Sequence, residues 1–235
     1  MSRSFGIVEK KVEESEFFLS KIIESMDKNR AFDETQFYLS AFASSTRSIT
    51  FTIQASISDI SGFDNWYKLQ QDKLKSNKLA RFFLEARNLS QKIGYYLIGS
   101  GRSYTDQNGD LKMYHYFQPF SSNQLSYVPE EDVLTCCITY YKILLEVVMD
   151  CYKEFGKLID PEKFFTIENL RESNKTIEDF EEQAGYPRGW TEIPNYSIEQ
   201  RIEVIKRHHP MPEIDWIFEK YFNKNRFGEK IETCG

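Results

Sequence analysis

Leu134, Cys137, Ile138, Tyr141, Leu145, Val148 and Tyr152 recur at intervals of three and four residues. That period places them on one wide apolar helical face, continuing to about Leu158. Pro129-Glu130-Glu131-Asp132 opens this helix: a proline suits an early position, and acids suit the positive end of the helix dipole. A face this wide has to be buried. Three further segments carry the same periodicity. Residues 8–28 place Val8, Val12, Leu19, Ile22, Ile23 and Met26 on one side, opposite Glu9, Lys10, Glu13, Glu16 and Lys21. Residues 33–56 form a second helix, with Asp33 as its cap. A third contains Leu79, Phe82, Phe83, Ala86, Ser90 and Ile93 and stops at Gly94, because glycine accepts the left-handed backbone that follows a helix. Four such helices predict a mainly α protein, four-helix-bundle-like.

The connections differ in character. Ser61-Gly62-Phe63-Asp64-Asn65 is a turn, and residues 66–75 read as a short helix or as the opening of the helix that ends at Gly94, with Lys75-Ser76-Asn77 as the candidate break between the two. Tyr95-Tyr96-Leu97-Ile98 and the run from Lys112 to Phe117 are β-forming, with Asn108-Gly109 between them. This predicts a β-hairpin insertion at about 95–120. Gly99-Ser100-Gly101-Arg102-Ser103 resembles a phosphate loop only superficially, since no Gly-Lys-Ser/Thr ending or helix follows. The bundle with its insertion is assigned to residues 1–158. Residues 159–235 form a helical C-terminal extension, packed on the bundle or on a partner. Its helices are expected at 176–183, at 198–207 behind a Ser197–Gln200 capping box, and at 213–222.

The net charge of −6 argues against a general nucleic-acid coat, but the charge is uneven. From Lys68 to Lys92, seven basic residues face two acidic ones, a balance of +5; from Glu130 onward, 22 acidic residues face 14 basic ones, −8. The helix ending at Gly94 therefore lies in a basic zone suited to an anion or an RNA backbone. Within the second helix, Ser40, Ala41, Ala43, Ser44, Ser45 and Ser48 let another helix approach closely, and Arg47 stands among them. Tight bundle packing explains such a stripe; a dimer seam or a cleft wall is the sharper reading. Arg47 needs a carboxylate or an outlet to water.

Arg87-Asn88, one turn before Gly94, resembles the start of the motif of HEPN domains. These are helical bundles found in many prokaryotic ribonuclease toxins and in nucleotide-binding relatives. The likeness extends loosely to residues 37–54 and covers about the first two-thirds of the chain. In the family a histidine follows and supplies proton chemistry, while the arginine stabilises phosphate charge. Here the position five residues after Arg87 is Lys92. An ordinary lysine stays protonated at neutral pH. The resemblance therefore implies a HEPN-like domain without ribonuclease activity. It would bind RNA or a nucleotide at Arg87, Asn88 and Lys92, supported by Arg47 if the two helices pack antiparallel. It also implies a homodimer. Two alternatives stay open. One is an active, metal-independent endoribonuclease with an atypical site, in which His115 reaches the helix end from the hairpin. The other is a purely structural helical interaction scaffold in which Arg87 is only a core-edge salt bridge; binding of a partner protein through the acidic C-terminal region belongs to the first, HEPN-like reading, beside RNA or nucleotide.

No zinc signature, nucleophile elbow or dinucleotide fingerprint is present, and neither cofactor nor metal is expected. His208-His209 are adjacent and diverge on a helix, so they form no ready chelate. Cys136, Cys137, Cys151 and Cys234 read as reduced thiols. Residues 134–149 come closest to a membrane span but are interrupted by Lys142 and Glu146, and the N-terminus lacks a signal-peptide core. The expected location is cytoplasmic.

Overall fold

The computed structural model describes residues 5–26, 32–118 and 125–231. It divides into two compact units, residues 1–147 and 148–235, with the division inside the longest helix. The fold is mainly helical, with one small antiparallel hairpin and a helical C-terminal region.

In the first unit, α1 (Gly6–Met26) packs on α2 (Phe32–Ile57). Ser25 and Thr35 share a hydroxyl hydrogen bond of 2.8 Å across their buried ends. Lys28-Asn29-Arg30 and the Asp33 side chain lie outside the described residues; the helix already runs from Phe32. α3 (Phe63–Ser76) is tied to α2 by Tyr67, whose hydroxyl donates to the Thr50 carbonyl at 3.0 Å. Asn77 then ends α3 in an extended conformation and caps α4 (Lys78–Ile93), its side chain accepting from the Ala80 N–H. Gly94 stops α4 at φ +64°, a conformation that strains residues bearing a Cβ.

The small-residue stripe of α2 is where α4 docks. Ser40 and Ser90 hydroxyls lie 2.9 Å apart, and the Gln91 amide donates to Ser44 at 2.9 Å. Further along, Arg47 and Thr50 line the same cavity as Ala80 and Arg81, so the two helices run antiparallel. Close packing accounts for this stripe.

β1 (Ile98–Thr105) pairs with β2 (Leu111–Phe117). Asp106 closes the turn by accepting from the Asn108 and Asp110 N–H groups, with Gly109 at φ +85°. The first strand starts later than Tyr95, and the glycine-rich stretch 99–103 is strand, not loop. At its start, the Gln36 side chain accepts from the Leu97 and Ile98 N–H groups, while the Leu97 carbonyl accepts from the Gln118 N–H at 2.8 Å.

α5 (Val133–Ile159) starts after the acidic tetrapeptide. Its cap is Asp132, whose carboxylate accepts from the Thr135 N–H and hydroxyl. The portion of α5 in the first unit completes the core. Tyr141 donates to the Val12 carbonyl at 2.8 Å, and Tyr140 stacks on Phe83 with centroids 4.4 Å apart.

The second unit contains the end of α5, α6 (Pro161–Phe164), α7 (Ile167–Glu172), α8 (Ile177–Gln183), α9 (Ile198–His208) and α10 (Asp215–Phe222). One of its hydrophobic clusters joins Phe165, Ile177, Phe180, Ile202 and Ile205, and Tyr152, Phe155, Ile214, Ile217 and Phe218 are buried as well. Ser197 and Gln200 do form the capping box that opens α9. Two buried carboxylates hold the unit. Asp160 caps α6 and receives the Arg226 guanidinium at 2.6 Å, while Asp215 and Glu162 take the remaining donors. Glu181 accepts from the Gly189 and Thr191 N–H groups, the Thr191 hydroxyl and Arg201.

Candidate functional site

Of the four residues that the sequence groups as a ligand site, Arg87 and Asn88 touch. Arg87 is half-buried on α4 and donates to the Asn88 amide oxygen at 3.2 Å, while its Nε is buried and makes no hydrogen bond. Lys92 is exposed in the last turn, about 140° round the helix from Arg87 at 100° per residue. Arg47 is half-buried on α2. It donates to Thr50 at 3.0 Å and lies over the Phe51 ring, 4.2 Å from its centroid. No carboxylate forms an ion pair with Arg47 or Arg87 among the described residues.

His115 lies elsewhere. It is buried on β2, directed to the backbone of Met26 at the end of α1. Burial pushes its pKa below the ordinary histidine value, against the opposing effect of the Met26 backbone bond. His208 and His209 diverge, to Trp190 and Phe165 respectively. Cys136, Cys137 and Cys151 are buried free thiols; burial raises all three pKa values, that of Cys136 to about 12. Such thiols are poor nucleophiles. Cys234 lies outside the described residues. No group of three or more acidic, histidine or cysteine side chains is placed to hold a metal among the described residues.

The site that α2 and α4 build together centres on Arg47, with residues the sequence reading missed. A cavity of about 120 Å³ opens among α2, α3, α4 and the first half of α5. Thr50, Tyr67, Tyr140, Leu144 and Val147 are buried and make its floor. Arg47 and Gln71 are half-buried at its wall, and Arg81 and Lys75 stand exposed at its mouth. The floor is rigid: Tyr140 is held by its stack on Phe83, and Tyr67 stacks on Phe63 at 5.0 Å. Burial also raises the Tyr140 phenol to about 12, although Arg47 nearby works against the shift. Both acids of the basic zone are engaged. Glu85 accepts from the Ser126 N–H and hydroxyl, and Asp72 faces Lys75 at 3.9 Å. Arg81 has no ion pair among the described residues. The local excess of positive charge was visible in the sequence; that Arg81, Lys75 and Gln71 meet Arg47 was not.

Fold and cavity thus define a helical module with a cation-lined cleft. A family model described as bacteriophage lambda protein ea47 matches residues 8–99, which span α1 to the first residues of β1. This corrects the HEPN resemblance: the matching family is ea47, and no HEPN family matches. Arg87-Asn88 is a two-residue pattern on a helix surface, too short to carry a family alone. The homodimer implied by that resemblance loses its ground with it. No curated protein matches the chain, and no solved structure matches it. No helix among the described residues is long and apolar enough to cross a membrane.

Proposed function

We propose that the first unit is a binding module for RNA or nucleotide phosphate, using Arg47 and Arg81 at the cavity and Arg87 further along α4. One observation carries this reading: these arginines have no carboxylate partner among the described residues of an acidic chain. An unpaired guanidinium presents a fork of N–H donors suited to phosphate, and its charge is undiminished at any ordinary pH. Lys75 on α3, and Asn88 and Lys92 on α4, extend the donor set. Binding is favoured over cleavage because His115, the proton carrier considered for this site, is packed against α1.

The test is fluorescence anisotropy of the full chain with a labelled single-stranded RNA of about twelve nucleotides, over a salt series. Arg81→Ala and Arg87→Ala should each weaken binding by roughly three- to tenfold and reduce the salt slope by about one. Gel analysis of the same samples should show intact RNA. Absence of binding at low salt, or binding indifferent to both substitutions, would overturn the reading. Cleavage lost in Arg87→Ala would replace it with the endoribonuclease alternative.

A further inference from the structure

We infer that the cleft beside Arg47 receives a single planar ring joined to a phosphate: a pyrimidine nucleotide, free or as an unstacked residue of single-stranded RNA. The inference rests on the phosphate-binding reading above and adds the ring. Size is the first argument. A cavity of about 120 Å³ compares with the about 150 Å³ apolar cavity that takes benzene. One six-membered ring is of the size to fill it, with the attached phosphate at the open mouth beside Arg81 and Lys75.

Composition is the second. A bare phosphate would use Arg47, Arg81 and Lys75 but leave the solvent-facing apolar lining of Leu74 and Leu84 in contact with water. A purely apolar ligand would cover that lining and strand the cations. A ring with an attached phosphate satisfies both. Arg47 is already oriented by Phe51 and Thr50, and only one of its five N–H donors is engaged. Gln71 makes no side-chain hydrogen bond among the described residues and carries both a donor and an acceptor. That pair matches the polar edge of a pyrimidine. Because Tyr67 and Tyr140 are each fixed by a stacked neighbour, the slot needs little ordering when the ring enters.

The test is calorimetric titration of the full chain with uridine monophosphate, uridine, inorganic phosphate and a short oligouridylate, against Ala80→Met and Gln71→Leu. Ala80 lines the cavity, and methionine there fills it without changing charge or helix preference. Gln71 is half-buried, so its substitution keeps the test open should Ala80→Met disturb the fold. Uridine monophosphate or the oligouridylate should bind at least about tenfold more tightly than inorganic phosphate, and that margin should vanish in both variants. Saturation by the mononucleotide alone identifies a free-nucleotide site; oligouridylate binding without it identifies single-stranded RNA. If both variants leave every affinity unchanged, the ring site is overturned, while an effect of Arg81→Ala would keep the phosphate reading intact. Failure of all four ligands in the unmodified chain overturns both.

Discussion

The two units of this chain use arginine in opposite ways. In the second, Arg226 is buried against Asp160, Asp215 and Glu162, Arg201 against Glu178 and Glu181, and Arg188 joins Asp179 and Glu182. In the first, Arg47, Arg81, Arg87 and Arg102 form no ion pair among the described residues. The contrast accompanies a difference in how the two units are built. The first packs long helices through fully buried side chains such as Leu19, Phe42, Phe83 and Tyr141, and joins seams with neutral hydroxyl bonds. Beyond α5 the second has shorter helices, and its charged clasps fix the loops between them beside buried side chains such as Phe165, Phe180, Ile217 and Phe218. The arginines of the first unit thus stand outside its ion pairs among the described residues, which is what the proposed ligand reading uses.

The strongest way to break this comparison is Arg226→Met. It leaves Asp160, fully buried, without its counter-charge. Breaking a buried pair from one side costs about 3–5 kcal/mol. Hydrogen exchange followed by mass spectrometry should show protection falling in peptides of residues 148–231 by that amount. If protection there is unchanged, Arg226 is ornamental and the second unit stands on its apolar core.

Acid should separate the units next. Burial holds His115 in the first unit and His209 in the second below the ordinary histidine value of 6.5. A depressed native value gives stability that is present above pH 6.5 and lost as the pH falls through the folded value. Both units share this loss. The carboxylates held below their ordinary range, Glu172, Glu178, Asp179, Glu181 and Glu199, all belong to the second. For Glu181, burial raises the pKa, but bonds from Thr191, Arg201 and the Gly189 N–H outweigh it. For exposed Asp179, the Thr176 N–H and then Arg188 lower it to about 2. Their contribution is present above the unfolded values of 4.5 and 3.8 and is lost as the pH falls from there towards about 2. Exchange protection should therefore weaken in both units below pH 6.5, then continue to fall mainly in the second below pH 4.5. Parallel loss in the low range would remove the contrast.

The sequence made the first unit far more legible than the second. Periodicity marks α1, α2, α4 and α5 because each turns one broad apolar side inward, and Asn77 and Gly94 announce helix ends through their own local chemistry. Asn108-Gly109 marks its hairpin for the same reason. The clasps of the second unit have no local signature: Asp160 and Arg226 are 66 residues apart. The cleft is hidden likewise. Its parts lie on four helices, and neither Gln71 nor Tyr140 differs in sequence context from any other helical glutamine or core tyrosine. Arg87 stood out by its pairing with Asn88, whereas Arg81, six residues earlier, did not, yet only Arg81 lines the cavity.

The smallest expected stability effect tests the comparison most directly. Arg81→Met and Arg87→Met remove guanidinium groups that hold no carboxylate, and methionine retains the apolar stem and helix preference. Each should change the unfolding free energy by no more than about 0.5 kcal/mol. For Arg87 the sign should favour the variant, since its Nε is buried without a hydrogen bond. The same chemical change in Arg226 is expected to cost several-fold more. A denaturant series on the three variants, read by exchange in each unit, puts them on one scale. Should Arg81→Met destabilise the first unit as much as Arg226→Met does the second, the arginines of α4 are structural. Stability preserved with RNA affinity lost would mean that the first unit keeps these charges for a ligand rather than for its fold.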